Sequence, residues 1–200
     1  MLTRRNLVLS AAVLALAGPV LAQDFPAEAR RFVEAMIAEL SGIEAREKNE
    51  EARRKAIDQA LRQRVALDRI GRYMLGASRT KATAAELAEY DRLVPDFILA
   101  DVRGEIAKLV AQSIAIDEVQ ARSERDALVR SRFRRRTGGT VRVDWRVGAA
   151  AAGGQPQLID VFVNGVSRFA IRRDEFQAIV KARGMAGLIG ELRAGVLTAA

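Results

Sequence analysis

The stretch that decides the fold is Val141-Arg142-Val143-Asp144-Trp145-Arg146-Val147. Apolar and charged side chains alternate along it without exception. Because successive side chains of a strand point to opposite faces of a sheet, this alternation predicts a β-strand with one apolar and one polar face. The apolar face carries Val141, Val143, Trp145 and Val147.

Further strands are predicted on both sides of this one, over residues 114–122, 127–135 and 158–163. Gly138-Gly139 is typical of a hairpin, and Asn164-Gly165 of a tight turn. Residues 166–171 are predicted to continue as extended chain. Short connections between neighbouring strands indicate an antiparallel sheet of four strands, possibly more.

Helical periodicity predicts helices over residues 25–40, 51–64 and 68–74, with Gly42 ending the first. Thr83 and Glu86 form a capping-box pattern that opens a long helical stretch, which Pro95 should kink or divide. Two helices close the chain, over about 174–183 and 185–195, separated at Gly184. Helices at both ends of an antiparallel sheet predict the α+β class, with the sheet packed against helices.

The 200 residues include no cysteine and no histidine. Thiolate and imidazole chemistry and the commonest zinc ligands are therefore excluded, and we expect no catalytic residue, no metal and no enzyme. Asp96 and Asp101 are predicted to be surface charges, since five residues apart they share a helix face poorly. Asp160 is predicted to have a hydrogen-bonded structural role.

Residues 1–22 have the pattern of a secretory signal peptide. Arg4 and Arg5 precede an apolar stretch, and Ala22 is the predicted cleavage position, by the general or the twin-arginine export route. The expected location is therefore outside the cytoplasm. The net charge of +8 falls to +6 when these two arginines are removed, because the segment contains no acidic residue.

Arginines cluster in one place, at positions 132, 134, 135 and 136, with a single aromatic residue, Phe133, among them. A nucleic-acid site would need more exposed aromatic side chains. We therefore interpret the cluster as a solvated strand face or turn, and we expect no nucleic-acid partner.

The chain has many apolar residues on its predicted strands and helices, and few residue types that could carry out catalysis. The extended segments contribute Trp145, Val147, Val161, Val163, Phe169 and Ile171, and the helices contribute Tyr73, Phe97, Ile98 and Val102. A dry core and a lipid-filled cavity use the same residue types, so the pattern fits both.

Several segments resemble, in order and spacing, the periplasmic phospholipid-binding component of the maintenance-of-lipid-asymmetry system, the MlaC or toluene-tolerance auxiliary family. The resemblance covers about residues 30–195. Its C-terminal segments are 160–167 (DVFVNGVS), 172–176 (RRDEF) and 184–192 (GMAGLIGEL), and looser matches are 72–76 (RYMLG), Ala82-Thr83 and Glu89-Tyr90.

The resemblance implies a single lipid-binding domain over residues 23–200, with helices in about 23–112 and the sheet and last helices in about 113–197. It implies a cone similar to the cystatin or NTF2 folds, with an apolar cavity lined by the ten residues above and Val166. The implied function is that of a periplasmic carrier of phospholipid, which is cargo and not a cofactor. The implied partners are an inner-membrane ABC transporter complex with an MCE-type subunit and an outer-membrane lipoprotein complex.

Three alternatives remain open at this point. A sister branch tied to hopanoid synthesis is similar enough to leave a sterol-like lipid as the cargo. A protein-binding adaptor would have a filled core. An enzyme of the same fold would place Tyr73 or Tyr90 with an aspartate in the cavity, with the perturbed pKa that catalysis needs.

Overall fold

The structure is a computed structural model that describes residues 25–108, 111–135, 138–150 and 154–197. The predicted signal peptide, residues 1–22, lies outside the described residues. The helices are α1 (Phe25–Arg46), α2 (Glu50–Arg64), α3 (Leu67–Leu75), α4 (Ala84–Lys108) and α5 (Arg168–Ala194), with a 3₁₀ segment at Gly76–Thr80. The strands are β1 (Ala111–Ser123), β2 (Asp126–Arg135), β3 (Thr140–Gly148), β4 (Gln157–Val163) and β5 (Val166–Ser167).

The five strands form one antiparallel sheet in the order β1-β2-β3-β4-β5, which confirms the predicted α+β class and adds a short fifth strand. Strand β3 lies at its centre, and Trp145 is opposite Val129 of β2 and Val161 of β4. The pairing of β1 with β2 is irregular, with a register shift between Ile116 and Val119. The strict alternation of apolar and charged residues therefore belongs to the central strand of the sheet.

Helix α1 continues four residues beyond Gly42, so the predicted end at that glycine is wrong. Met36, Leu40 and Ile43 are all buried and follow one another at helical spacing. Burying Ile43 offsets the cost of about 1 kcal/mol for glycine inside a helix.

Helix α4 begins with the predicted capping box: the Glu86 carboxylate accepts from the Thr83 backbone N–H at 2.9 Å, and Thr83 Oγ1 accepts from Glu86 N–H at 3.3 Å. The helix runs as one element through Pro95 and does not divide there. Val94 and Ile98, buried on either side of the proline, anchor both halves in the same core.

Helix α5 begins at Arg168, so the prediction of extended chain to residue 171 and of a helix start near 174 is wrong. Ser167 Oγ caps the helix by accepting from Ala170 N–H at 3.0 Å. Phe169, Arg172 and Phe176 are buried at helical spacing. The predicted separation at Gly184 is confirmed, since its φ of 67° and ψ of −176° interrupt the helical backbone.

The core lies between the apolar face of the sheet and the helices. Helix α1 packs on β1 and β2, α5 packs on β4, and α4 packs mainly on α2, α3 and α5. The part of the chain that the structure describes has no helix long and apolar enough to cross a membrane.

Candidate functional site

The eleven residues predicted to line a cavity fall into three groups. Six are buried between the sheet and the helices: Ile98, Val102, Trp145, Val147, Val161 and Phe169. Phe97 and Val163 are half-buried and pack against the same core. Tyr73, Val166 and Ile171 are at the surface, with 43%, 54% and 36% of their areas exposed.

The three exposed residues do not line the interior, which corrects their predicted placement. Val166 is in β5, before the buried face of α5 begins, and Ile171 is on the outer side of α5 because the chain there is helical. Tyr73 is in α3, and its ring lies 5.1 Å from the Arg173 guanidinium carbon. The sequence pattern placed Ile171 inside only under the assumption of an extended backbone.

A gap of about 10 Å³, roughly the space of one water molecule, remains between α4, the sheet and the start of α5. Its apolar wall consists of Val102, Ile106, Trp145, Val161 and Phe169. The predicted residues Val102, Trp145, Val161 and Phe169 thus meet at one point of the interior.

Trp145 has a fixed orientation in this wall. Its indole N–H donates to Ser131 Oγ at 2.9 Å, and Ser131 Oγ donates to the Val143 carbonyl at 2.7 Å. Both side chains are buried. Because the indole donor is already used within the sheet, the ring offers the gap apolar surface.

Charged residues form the polar edge of the gap. Asp101 and Glu105 of α4 and Arg168 of α5 lie beside the apolar wall. Arg168 is 3.1 Å from the Asp101 carboxylate and 3.0 Å from the Glu105 carboxylate, and Arg172 is 2.6 Å from Asp101. These ion pairs join α4 to α5 at the gap.

Asp101 is only 2% exposed, so its predicted place at the surface is wrong. Burial of this carboxylate is possible because two arginines of α5 reach it. Asp101 Oδ2 and Arg168 Nε are buried and have no hydrogen-bond partner among the described residues. The polar edge is therefore held together by charge but is incompletely hydrogen-bonded. Asp96, by contrast, is exposed and pairs with Arg62.

Asp160 joins β4 to the start of α5, as the predicted structural role requires. Its carboxylate accepts from Val161 N–H at 2.8 Å, from Ser167 Oγ at 2.6 Å and from Phe169 N–H at 3.4 Å. Burial raises the pKa of Asp160 above its usual value, although these hydrogen bonds act in the opposite direction.

The arginine cluster near the second hairpin lies at the surface of β2, as predicted. Arg132, Arg134 and Arg135 are exposed, and Arg132 forms a bidentate pair with Asp117 of β1. Arg136 lies outside the described residues. The described part of the cluster is thus a solvated strand face.

Sequence reasoning missed Ser131, Ile106, Glu105 and Arg168 at this site. One signal was available, because Asp101 and Glu105 are four residues apart on the helix face that also carries Val102. No local pattern identified their partners, since Arg168 lies 67 residues from Asp101 along the chain.

Sheet, helices and gap together define a two-layer α+β protein with an apolar interior, and no group of potential metal ligands occurs among the described residues. The sequence profile of the MlaC protein family matches residues 30–194. The chain belongs to the MlaC family.

A solved structure has a similar fold. The fold is similar to that of the phospholipid-binding protein from Ralstonia solanacearum, whose structure is in complex with a phospholipid. The TM-score is 0.67 at 21% sequence identity, over 86% of this chain and 96% of that chain. No protein with a curated description matches this chain.

Proposed function

We propose that this protein is a phospholipid carrier that holds acyl chains between the sheet and α4. The observation that carries the proposal is the position of the interior gap, where Val102, Trp145, Val161 and Phe169 converge. Membership of the MlaC family supports it, and so does the fold shared with a protein whose structure contains a phospholipid. Binding of this kind needs no catalytic residue.

The gap must widen to accept a lipid. Ligand pockets measure about 300–1,000 Å³, whereas this gap measures about 10 Å³. Because α4 packs mainly on other helices, acyl chains are expected to enter by separating α4 from the sheet. The lipid then replaces contacts between α4 and the sheet with contacts between its own chains and the same side chains.

The energetics favour a carrier. Each buried CH₂ group contributes about 0.8 kcal/mol, so two acyl chains amount to about 20 kcal/mol or more of transfer from water.

We propose that the protein is exported after cleavage behind Ala22 and works in the periplasm. There it would move phospholipid between an inner-membrane ABC transporter complex with an MCE-type subunit and an outer-membrane lipoprotein complex.

The test compares two substitutions of Val161, which lines the gap, with one of Val166, which is exposed. Val161→Glu places a charge against the acyl chains, and Val161→Phe fills the gap without adding charge. Val166→Glu is the matched control five residues away. Each protein is purified without detergent, its folding is checked by circular dichroism, and an organic extract is analysed by mass spectrometry.

The expected result is stoichiometric phospholipid in the unmodified protein and in Val166→Glu, and its loss in both Val161 variants. Stoichiometric hopanoid would instead identify the sterol-like cargo of the sister branch. An empty extract from the folded, unmodified protein, with no uptake from vesicles, would reject the carrier and favour an adaptor. Full loading of a folded Val161→Phe would place the acyl chains elsewhere.

A further inference from the structure

A second concavity, separate from the interior gap, lies where α2 and α3 meet the end of β3 and the start of β4. It is an open groove of about 600 Å³. Its charged side chains are four arginines, Arg62, Arg69, Arg72 and Arg125, and one carboxylate, Asp68. The groove is therefore strongly positive.

Two of these arginines are available to a ligand. Arg62 pairs with Asp96, and Arg125 donates to the Ala150 carbonyl at 2.8 Å. Arg69 and Arg72 are exposed and form no ion pair with any described residue. They are one helical turn apart on α3, so both guanidinium groups can reach one anion.

The Arg69 guanidinium lies close to the end of β3, since a Cβ atom at Gly148 would be 2.6 Å from Arg69 Nη1. The floor beside it is apolar and includes Val65 and Ile159. The groove thus combines exposed guanidinium donors with apolar side chains that suit the apolar part of a ligand.

We propose that this groove binds a phosphate ester. A guanidinium group matches phosphate oxygens in a bidentate manner, and two of them on one face give both charge and geometry. The groove residues Gly148 and Gln157 are next in sequence to Val147 and Leu158, which are buried in the core. The inference rests on the proposed function, because a phospholipid carrier meets phosphate esters at every loading step.

The test measures binding to vesicles of phosphatidylcholine with phosphatidylglycerol, in the presence and absence of inorganic phosphate. The groove variant is Arg69→Glu/Arg72→Glu. The control is Arg54→Glu/Lys181→Glu, which makes the same change of net charge at exposed residues that form no ion pair with any described residue. Lipid in organic extracts of all three proteins is measured in parallel.

The groove variant should bind vesicles more weakly by a factor on the order of ten or more, and the control should change by about twofold. Competition by inorganic phosphate would show that the groove also takes the free anion, and no competition would restrict it to the lipid headgroup. Equal weakening in both variants, or no binding by the unmodified protein, would overturn the proposal. If the vesicle result overturns the groove proposal but lipid is present in the extracts, the proposed carrier function still stands. Absence of lipid from the extracts of all three proteins would reject both the carrier function and the groove site.

Discussion

Asp160 shows at the scale of one residue how the fold uses a buried carboxylate. Two backbone N–H groups and the Ser167 hydroxyl surround it, and it connects the end of the sheet with the first turn of α5. Burial still dominates and raises its pKa above the usual 3.8. The folded protein therefore retains this proton to a higher pH than the unfolded chain does.

This shift predicts a pH dependence for Asp160→Asn. Stability from the raised pKa is fully present below about pH 3.8 and is lost as the pH rises through the folded-state value, because the unfolded chain ionises first. Asparagine does not ionise, so the variant does not lose stability in this way as the pH rises. The free energy of unfolding of Asp160→Asn, relative to the unmodified protein, should rise between pH 3 and pH 7 in urea titrations.

Asp117→Asn is the control for this measurement. Its exposed carboxylate has a pKa lowered by Arg132, so its relative stability should change little and in the opposite direction. A constant difference for Asp160→Asn across the pH range would mean that its hydrogen bonds cancel the effect of burial on its pKa, and a fall with rising pH would mean that they outweigh it.

Single residues of the site were predictable where a local pattern determined them. Trp145, Val147 and Val161 followed from alternation in neighbouring strands, and all three are buried. Asp101 did not follow, since its burial depends on Arg172, 71 residues away along the chain. A charged residue in a helix is normally solvated, and only the tertiary partner reverses that expectation.

At the scale of elements, two glycines in α5 have opposite roles. Gly184 has φ of 67° and ψ of −176°, a combination that is almost confined to glycine, and it allows the helix to change direction. Gly190 lies in regular helix six residues later. A Cβ atom at either position would meet nothing within 4 Å, so the two differ only in their backbone.

The same substitution should therefore have opposite effects at these two sites. Gly184→Ala should destabilise the protein by about 1–3 kcal/mol through backbone strain. Gly190→Ala should stabilise it by about 0.5–1 kcal/mol through helix propensity. Urea unfolding of both variants measures the difference. Destabilisation by Gly190→Ala of the same size would mean that a close contact, and not backbone conformation, limits both sites.

Elements were predictable where their signals were local. The hairpin at Gly138-Gly139, the Asn164-Gly165 turn and the capping box of α4 are each encoded within a few residues. The start of α5 was not predictable from Val166 to Ile171, because a short apolar segment fits both the two-residue period of a strand and the 3.6-residue period of a helix. Phe169, Arg172 and Phe176 pack against the rest of the chain, and that packing selects the helix.

At the scale of the whole molecule, the proposed cargo is part of the core. If acyl chains separate α4 from the sheet, the loaded protein buries apolar surface that the empty protein must close by itself. A ligand that binds only the folded state raises stability with its concentration relative to its dissociation constant. If the protein carries lipid as proposed, its stability and its lipid content are therefore coupled.

Removing the lipid should lower the melting temperature, and reloading from vesicles should restore it. Bound lipid raises the free energy of unfolding by about 4 kcal/mol when the free lipid concentration is a thousand times its dissociation constant. Differential scanning calorimetry before and after extraction measures it. Folded Val161→Phe, with the gap filled, should melt at the same temperature in both conditions, and an equal drop in that variant would mean that extraction itself damages the protein.

The irregular first strand has a consequence for how the protein meets other polypeptide chains. Strand β1 is one of the two edges of the sheet, where backbone N–H and C=O groups are available to another chain. Its register shift between Ile116 and Val119 falls at Asp117 and Glu118, which are exposed and form ion pairs with arginines of β2. A kinked, charged edge is a poor template for further strands. We therefore expect the bulge in β1 to make this edge pair poorly with another chain.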